Sequence, residues 1–311
     1  MNVFKKPIFY FLLVAIAGFL SLAFTKNSLE KSPRLTPIFD YNVYALPMPQ
    51  HLDFSEESVP LTLPDIRERM DRELLVNTYW QSNGLLLFKR ANKYFPIIEP
   101  ILKSYGIPDD FKYLALIESG LQNVTSPAGA KGFWQIMKST GKEYGLEINC
   151  NVDERYNLKL STHVACQYLL RGKERFGSWT LAAASYNAGM SGIASELDRQ
   201  SVASYYDLLL GQETGRYIFR IVALKEIMTH PKQYGFNFED HDLYAHAPTY
   251  EVEIDTAVAD FVKFAKDFGL NYKQLKLHNP WLREEFLNNK SRKKYQIEIP
   301  EAKYYGQEVL R

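Results

Sequence analysis

Apolar residues recur every three or four positions from about residue 61 to residue 231, the spacing that places them on one face of an α-helix. Residues 65–76 are an example, with apolar side chains at Ile66, Met70, Leu74 and Leu75. Further helices are predicted over residues 85–95, 97–105, 108–117, 162–175, 181–186 and 213–228. Pro96 suits the first turn of a new helix, so a helix boundary is expected there. The pattern predicts a mainly α-helical domain over residues 61–235, with an N-terminal helical extension.

The pattern changes near residue 248. Residues 250–254 and 295–300 alternate apolar and polar side chains, which predicts two β-strands. Residues 258–268 and 272–278, which lie between them, have helical spacing. The order strand, helix, helix, strand predicts a small α+β module over residues 248–300, separated from the helical domain by an irregular stretch at 235–248.

The first 25 residues are typical of an export signal, since Lys5 and Lys6 precede an uncharged, mostly apolar segment at residues 7–24. That segment is also just long enough to span a bilayer. It is therefore either a cleaved signal peptide or an N-terminal membrane anchor, and both place the chain in the cell envelope. Residues 26–60 contain repeated prolines, which predict an extended tether.

Composition narrows the function further. Lys and Arg total 37 against 36 Asp and Glu, so the chain lacks the strong positive charge of a nucleic-acid-binding protein. Aromatic residues make up 14% of the chain, which suits both a large core and sugar stacking. Export makes a bridge between Cys150 and Cys166 possible, and two separate thiols are the alternative. No histidine pattern typical of a metal site occurs, so neither a metal nor a cofactor is expected.

One carboxylate has a position typical of catalysis. Glu118 ends a run of apolar residues at 114–117, and Gly120 follows it. Burial and the negative end of the helix dipole both disfavour the carboxylate anion and raise its pKa. An acid that stays protonated near neutral pH can act as a general acid. A Glu side chain that turns into solvent at the helix end is the alternative.

Polar and aromatic residues cluster in the segments that follow Glu118. They occur in a glycine-rich turn at residues 126–132 and in the segments 133–137, 185–189 and 213–217. One acid with amides, hydroxyls and aromatic rings is typical of a sugar-binding cleft, although each residue type is also common in protein cores. Glu213 is expected to be structural, paired with Arg216 or Arg220.

Four of these segments together resemble the goose-lysozyme-like (SLT) lytic transglycosylases, most closely the membrane-bound lytic murein transglycosylase D group. The resemblance covers roughly residues 94–231. It rests on Ile117-Glu118-Ser119, Ser126-Pro127-x-Gly129-Ala130-x-Gly132-x-Trp134-Gln135, Tyr186-Asn187-Ala188-Gly189 and Glu213-Thr214-x-x-Tyr217. Asp153-Glu154-Arg155 is also similar to the family, whereas Phe133 and Ser185 depart mildly from its pattern. The resemblance implies a lysozyme-like helical catalytic domain.

The resemblance also implies a reaction. The family cleaves the β-1,4 bond between N-acetylmuramic acid and N-acetylglucosamine without water, through attack by the muramoyl C6 hydroxyl, and releases 1,6-anhydro products. Glu118 would be the single acid and base. By motif position, the expected substrate contacts are Ser119, Gln135, Met137, Tyr186, Asn187 and Tyr217, and Met137 is equally compatible with a core position. Peptidoglycan strands would be the partner of a monomeric protein on the periplasmic side.

Two other functions remain open at this stage. A hydrolytic muramidase on the same scaffold would need a second carboxylate, for which Glu143, Glu147, Asp153 and Glu154 are candidates, although solvated charges are the commoner explanation. A non-catalytic peptidoglycan-binding protein is the third possibility, and the intact Glu118 argues against it.

The C-terminal module resembles a LysM-like glycan-binding module in its first strand, in Asn279-Pro280 and in the closing segment 297–300. The Gly-Asp-Thr stretch expected after the first strand is replaced by Asp255-Thr256-Ala257. The module is therefore expected either to bind glycan or to pack as a cap on the catalytic domain. Lys290, Arg292, Lys293 and Lys294 are expected to form a solvated basic loop, and contact with an anionic glycan is the alternative.

Overall fold

A computed structural model describes residues 42–305, apart from the side chains of residues 81 and 302. In this range the α-helices are α1 (Pro64–Tyr79), α2 (Gln81–Ser104), α3 (Lys112–Ser119), α4 (Lys138–Glu143), α5 (Leu158–Phe176), α6 (Trp179–Ala188), α7 (Met190–Gln200), α8 (Gln212–Thr229), α9 (Phe261–Asp267) and α10 (Tyr272–His278). The strands are β1 (Asp53–Phe54), β2 (Glu57–Ser58), β3 (Thr249–Ile254) and β4 (Tyr295–Pro300). The expected mainly helical fold with a small α+β C-terminal region is confirmed.

None of the helices within residues 42–305 is long and apolar enough to cross a membrane. The apolar segment at residues 7–24, predicted to be a signal peptide or membrane anchor, lies outside the described residues. The same is true of the first part of the predicted tether, up to residue 41.

Helix α2 runs through two prolines, Pro96 and Pro100, so the helix boundary predicted at Pro96 is wrong. Both prolines lie on the exposed side of the helix. The opposite side stays continuously buried through Phe95, Ile98 and Leu102. Proline removes a backbone hydrogen bond and disfavours a helix interior. Here the apolar face packs across the break, and tertiary packing outweighs the local preference.

Residues 52–59 are folded, which corrects the prediction of a tether over this part of 26–60. Strands β1 and β2 pair antiparallel, and Phe54 is fully buried with its ring 5.0 Å from that of Phe111. Glu57 accepts hydrogen bonds from the backbone N–H groups of Trp179 and Thr180 and from the hydroxyl of Ser178. Its carboxylate therefore caps the N-terminus of α6, where the helix dipole favours negative charge.

Helix α8 lies at the centre of the helical domain. Its residues Ile218, Phe219, Ile221 and Val222 are each no more than 1% exposed. It packs against α1, α3 and α6. Residues of α3, α6 and α8 therefore meet in one region although they are far apart in the sequence. This packing positions the candidate site.

The C-terminal strands β3 and β4 form an antiparallel pair, in register from Thr249 opposite Pro300 to Ile254 opposite Tyr295. Helices α9 and α10 cover them, and Phe261, Leu275, Ile297 and Ile299 are fully buried in a second hydrophobic core. The four elements thus follow the order predicted from the hydrophobic pattern, with the first helix starting three residues later than expected.

This second core includes Val152 and Tyr156, which belong to the helical domain. Backbone hydrogen bonds continue the contact: the N–H of Asp153 donates to Trp281 O, and the N–H of Arg283 donates to Asn151 O, both at 2.9 Å. Backbone pairing of this kind fixes register as well as proximity. The C-terminal module is thus docked on the segment at residues 151–156.

Lys293 adds an ion-pair contact at the same boundary. Its Nζ lies 2.9 Å from Glu147 Oε2 and 2.7 Å from Glu154 Oε1. Lys294 pairs with Glu253 at 2.7 Å. Both lysines are exposed, as the prediction of a solvated basic loop requires, and each also has an acidic partner from another segment.

The two cysteines differ in environment. Cys150 is an exposed free thiol and Cys166 is a buried free thiol. Burial raises the pKa of the Cys166 thiol to about 12, so this side chain behaves as a small apolar core residue. Of the two alternatives left open by the sequence, the structure has two separate thiols.

Candidate active site

Glu118 lies at the C-terminal end of α3, and Gly120 follows it in the left-handed conformation (φ 60°), which ends the helix. The preceding residues Leu114 to Ile117 are all buried. The hydroxyl of Tyr217, on α8, donates a short hydrogen bond to Glu118 Oε1. The side chain does not turn out into solvent, so the acid is held against the domain core.

Burial raises the pKa of Glu118 to about 7. The hydrogen bond from Tyr217 and the positive charge of Arg220 oppose this rise, and the negative charge of Glu213 adds to it. Desolvation is thus the dominant cause, as the apolar run before Glu118 predicted. A carboxyl group with this pKa can both donate and accept a proton near neutral pH.

Two tyrosines lie close to this acid, Tyr217 buried and Tyr186 partly buried. Tyr217 is 2% exposed, and the hydroxyl of Tyr186 donates to the backbone carbonyl of Trp134 at 2.7 Å. Burial raises the pKa of both phenols well above the usual value, and the charge of Glu118 adds to the rise. Both stay protonated at neutral pH. Tyr217 contacts the acid directly, whereas Tyr186 fixes the adjacent loop.

Asn187 lies in the last turn of α6, next to the start of α8. Its amide nitrogen donates to Glu213 Oε1 at 3.1 Å, and its amide oxygen accepts from the Thr214 hydroxyl at 2.7 Å. These contacts fix the amide orientation and hold the Glu213 carboxylate. They also join two of the motifs noted in the sequence, which are 24 residues or more apart along the chain.

The arginine partners predicted for Glu213 are wrong. Arg216 pairs with Glu73 on α1, with 2.6 Å between Nε and Oε1 and 3.1 Å between Nη2 and Oε2. Arg220 donates to the carbonyl of Ile117 at 3.2 Å. Glu73 is 1% exposed and carries no motif, so no sequence signal marked it as the residue that anchors α8 to α1.

Ser119 and Gln135 make their hydrogen bonds to backbone. The hydroxyl of Ser119 donates to Phe133 O at 2.8 Å. The amide nitrogen of Gln135 donates to Gly132 O at 2.7 Å and Val124 O at 3.2 Å. Gln135 has a positive φ of 47°, which is uncommon for a residue with a side chain. Both side chains therefore shape the loop at 122–136 beside the acid, and their contact with substrate stays a prediction.

Trp134 and Met137, on either side of Gln135 and Ile136, have different environments. The Trp134 indole is fully buried and donates to the Thr162 hydroxyl at 2.8 Å, so the indole belongs to the core and not to a sugar-stacking surface. Met137, at the start of α4, is 42% exposed. Of the two positions considered for Met137, the exposed one is found, and a sugar contact there remains a prediction.

Arg155 stabilises the loop at residues 122–136 by hydrogen bonds to its backbone. Its guanidinium forms a two-point ion pair with Asp153, at 2.9 Å and 2.8 Å, and donates to the carbonyls of Gly129 and Ile136. A Cβ added at Gly132, where φ is 80°, would lie 2.0 Å from the carbonyl oxygen of Arg155. Only glycine fits at that position. The sequence indicated Asp153 and Arg155 by resemblance, but not this role.

The four carboxylates considered as a second catalytic group are engaged in ion pairs. Glu143 pairs with Arg171 at 2.8 Å, and Asp153 pairs with Arg155 at 2.8 Å. Glu147 and Glu154 share Lys293. Asp153, Glu147 and Glu154 are thus structural charges, whereas Glu143, 58% exposed, is a solvated one.

Two segments of the chain match families of known proteins. Residues 95–208 match the family described as the transglycosylase SLT domain. Residues 250–303 match the soluble lytic transglycosylase C-terminal LysM-like domain. The chain thus carries an SLT-family transglycosylase domain, followed by a LysM-like domain of the kind found at the C-terminus of soluble lytic transglycosylases. The sequence motifs indicated both domains.

Two curated relatives extend the match. Over 235 residues the chain is 30% identical to the membrane-bound lytic murein transglycosylase D of Escherichia coli strain K12, and to the protein of the same name from Escherichia coli O6:H1. The aligned region is 73% of this chain and 50% of each relative. The chain therefore spans about half the length of the curated relatives it matches.

Proposed function

We propose that this protein is a peptidoglycan lytic transglycosylase with Glu118 as its acid and base. The observation that carries the proposal is the carboxyl group of Glu118, which is buried, bonded to Tyr217 and raised in pKa to about 7. It lies in a domain of the transglycosylase SLT family. A group with that pKa is populated in both protonation states under the conditions of the cell envelope.

In the proposed reaction, protonated Glu118 donates its proton to the oxygen between N-acetylmuramic acid and N-acetylglucosamine. The bond from the muramoyl anomeric carbon to that oxygen breaks. The muramoyl C6 hydroxyl then attacks the anomeric carbon and gives its proton to the Glu118 carboxylate, which restores the acid. An internal nucleophile has a high effective concentration, so no second carboxylate is needed to activate water. The product carries a 1,6-anhydro ring.

A hydrolytic muramidase is the second candidate, and one observation favours it. Glu213 is close enough for its charge to raise the pKa of Glu118. A second carboxylate across the cleft is what a water-activating enzyme requires. Against this role, Glu213 accepts a hydrogen bond from Asn187, which is itself held by Thr214. We therefore assign Glu213 to positioning and electrostatics.

The test is mass spectrometry of the soluble products released from purified peptidoglycan. The proposal expects muropeptides lighter by one water molecule than the hydrolysed form, and none from Glu118→Gln. Glu143→Gln is the matched control, because this carboxylate is 58% exposed and paired with Arg171. It should release the same products at the same rate as the wild type.

Glu213→Gln separates the two enzymatic mechanisms. In the transglycosylase, this variant still forms anhydro products, because Glu213 takes no part in the transfer of atoms. In a muramidase, products with a free reducing end predominate in the wild type and disappear in the variant. If the wild-type protein is folded and binds peptidoglycan but releases no products, the result would instead favour a non-catalytic binding protein.

We further propose that the protein acts at the peptidoglycan of the cell envelope and that its LysM-like module serves as a cap on the catalytic domain. The contacts of residues 151–156 with Trp281 and Arg283 support the cap. Attachment to the membrane through residues 7–24 remains a prediction. Fractionation of cells that produce the full chain, with and without residues 1–25, tests it.

A further inference from the structure

Three potential metal ligands from separate segments converge at the start of the C-terminal module. They are His246 in the segment that leads into β3, His278 at the end of α10 and Glu298 on β4. One donor atom of each lies within 4.8 Å of the donor atoms of the other two. All three side chains are partly buried. The catalytic proposal uses none of them.

From this geometry we propose that His246, His278 and Glu298 bind a divalent transition-metal ion of the Zn²⁺ type. Two imidazoles and a carboxylate are a donor set that Zn²⁺ uses in proteins. Three atoms separated by no more than 4.8 Å surround a point at most about 2.8 Å from each of them. Side-chain movements of less than about 1 Å would bring them to the usual Zn²⁺ bond lengths near 2.1 Å.

Hydrogen bonds around the cluster orient the ligands in the manner of a metal site. Nδ1 of His246 lies 2.8 Å from the carbonyl oxygen of Ala247. Since a carbonyl only accepts, Nδ1 must carry the proton, and the Nε2 lone pair of His246 is left for a metal. A backbone carbonyl that holds the other ring nitrogen is the usual partner of a metal-binding histidine.

The other two ligands are oriented similarly. Nε2 of His278 lies 2.9 Å from the hydroxyl of Tyr305, which leaves its second ring nitrogen available. The hydroxyl of Thr249 donates to Glu298 Oε1 at 2.7 Å, which fixes the carboxylate and leaves Oε2 available. Each ligand thus has one atom held by the protein and one atom unused in these contacts.

The site lies on the wall of a cavity of about 730 Å³, which is also lined by Tyr94 and Lys93 of α2. The His246 ring contacts both Tyr94, with ring centres 6.5 Å apart, and His278, with ring centres 5.7 Å apart. A bound ion would therefore join the segment before β3 to α10 and β4, beside the helical domain. Three protein ligands leave a fourth tetrahedral position open to water or a small ligand from the cavity.

The test titrates untagged, chelator-treated full-length protein with Zn²⁺ alone. Isothermal titration calorimetry and metal analysis after gel filtration should give one Zn²⁺ per chain. His278→Ala and Glu298→Gln should each weaken binding at least ten-fold. Glu298→Gln keeps an oxygen for Thr249, so circular dichroism should show it folded.

Two control variants exclude binding elsewhere. His241 is 82% exposed and lies 3.8 Å from a carboxylate oxygen of Asp242, so His241→Ala removes a similar pair outside the cluster. Cys150→Ser removes the exposed thiol. Both should bind Zn²⁺ as the wild type does. The proposal is overturned if the wild type binds no stoichiometric Zn²⁺, or if the cluster variants bind as tightly as the wild type.

Co²⁺ gives a second readout that does not depend on stability. The visible absorption of bound Co²⁺ should indicate nitrogen and oxygen ligands, and it should be lost in His246→Ala. A thiolate charge-transfer band that disappears in Cys150→Ser would place the metal at the cysteine instead and refute the proposal.

Discussion

The hydrogen bond from Tyr217 to Glu118 allows a quantitative test of how the domain sets the pKa of its acid. Tyr217→Phe removes the hydroxyl that donates to Glu118 Oε1. The phenol is 2% exposed, so water cannot readily replace it. A hydrogen bond to a charged group contributes about 1.5–3 kcal/mol, and about 1.4 kcal/mol corresponds to one pH unit. The pKa of Glu118, about 7 in the wild type, should therefore rise by about one to two pH units.

The direct assay is ¹³C NMR titration of the labelled Glu118 carboxyl group. The kinetic assay is the pH dependence of muropeptide release. A general acid must be protonated, so the rate falls as pH rises through the pKa of Glu118. In Tyr217→Phe this fall should move to higher pH, whatever the variant's maximal rate.

Tyr186→Phe is the matched control, since its hydroxyl donates to the carbonyl of Trp134 and not to Glu118. Its titration curve should coincide with the wild type to within a few tenths of a pH unit. The reasoning is refuted if Tyr217→Phe leaves the pKa of Glu118 unchanged or lowers it. Either result would mean that the short contact does not stabilise the anion.

Three further predictions concern stability. Because burial raises the folded pKa of Glu118 from 4.5 to about 7, its stabilising contribution is complete below about pH 4.5 and is lost as pH rises through 7. Glu118→Gln should therefore melt like the wild type at pH 4 but be more stable at pH 8, by up to about 3 kcal/mol; equal stability at pH 8 would contradict the burial argument. Gly132→Ala, whose Cβ would lie 2.0 Å from Arg155 O, should cost about 3 kcal/mol or more in urea unfolding. Gly129→Ala, also at positive φ but with nothing within 4 Å, should cost only about 1 kcal/mol, and equal losses would rule out the steric explanation. Burial opposes ionisation of Glu57, but the hydrogen bonds that Glu57 accepts at the start of α6 outweigh it and lower the pKa. The contribution of Glu57 to folding stability is therefore present above pH 4.5 and is lost on acidification. Glu57→Gln should thus lower the free energy of unfolding by about 1 kcal/mol at pH 7 and leave it unchanged at low pH. A loss of stability that persists in acid would show that the charge of Glu57 is not the cause.

Local patterns in the sequence determined most of the secondary structure. The spacing of apolar residues predicted the helices because one buried face imposes a repeat of three to four positions. The same logic gave the strands at 250–254 and 295–300. Glu118 could also be singled out from sequence, since the apolar run before it implies desolvation and Gly120 implies a helix end.

Prediction failed where contacts between distant segments decided the outcome. Pro96 is tolerated in α2 because Phe95 and Ile98 are buried on the opposite face. Glu57 belongs to the fold because a helix N-terminus 121 residues further along the chain binds its carboxylate. Neither contact can be predicted from the local sequence, because local patterns describe only residues three or four positions apart.

The chemistry of the site divides in the same way. The acid, Glu118, can be identified from the residues next to it in the sequence. Its pKa, however, depends also on Tyr217, Arg220 and Glu213, which lie about 100 residues later on α8. The convergence of His246, His278 and Glu298 has no spacing pattern that a sequence could reveal. The periodicity of a chain determines which faces must be buried. Only the packing of those faces decides which polar groups meet, because electrostatic and hydrogen-bond energies depend on distance in space and not on separation along the chain.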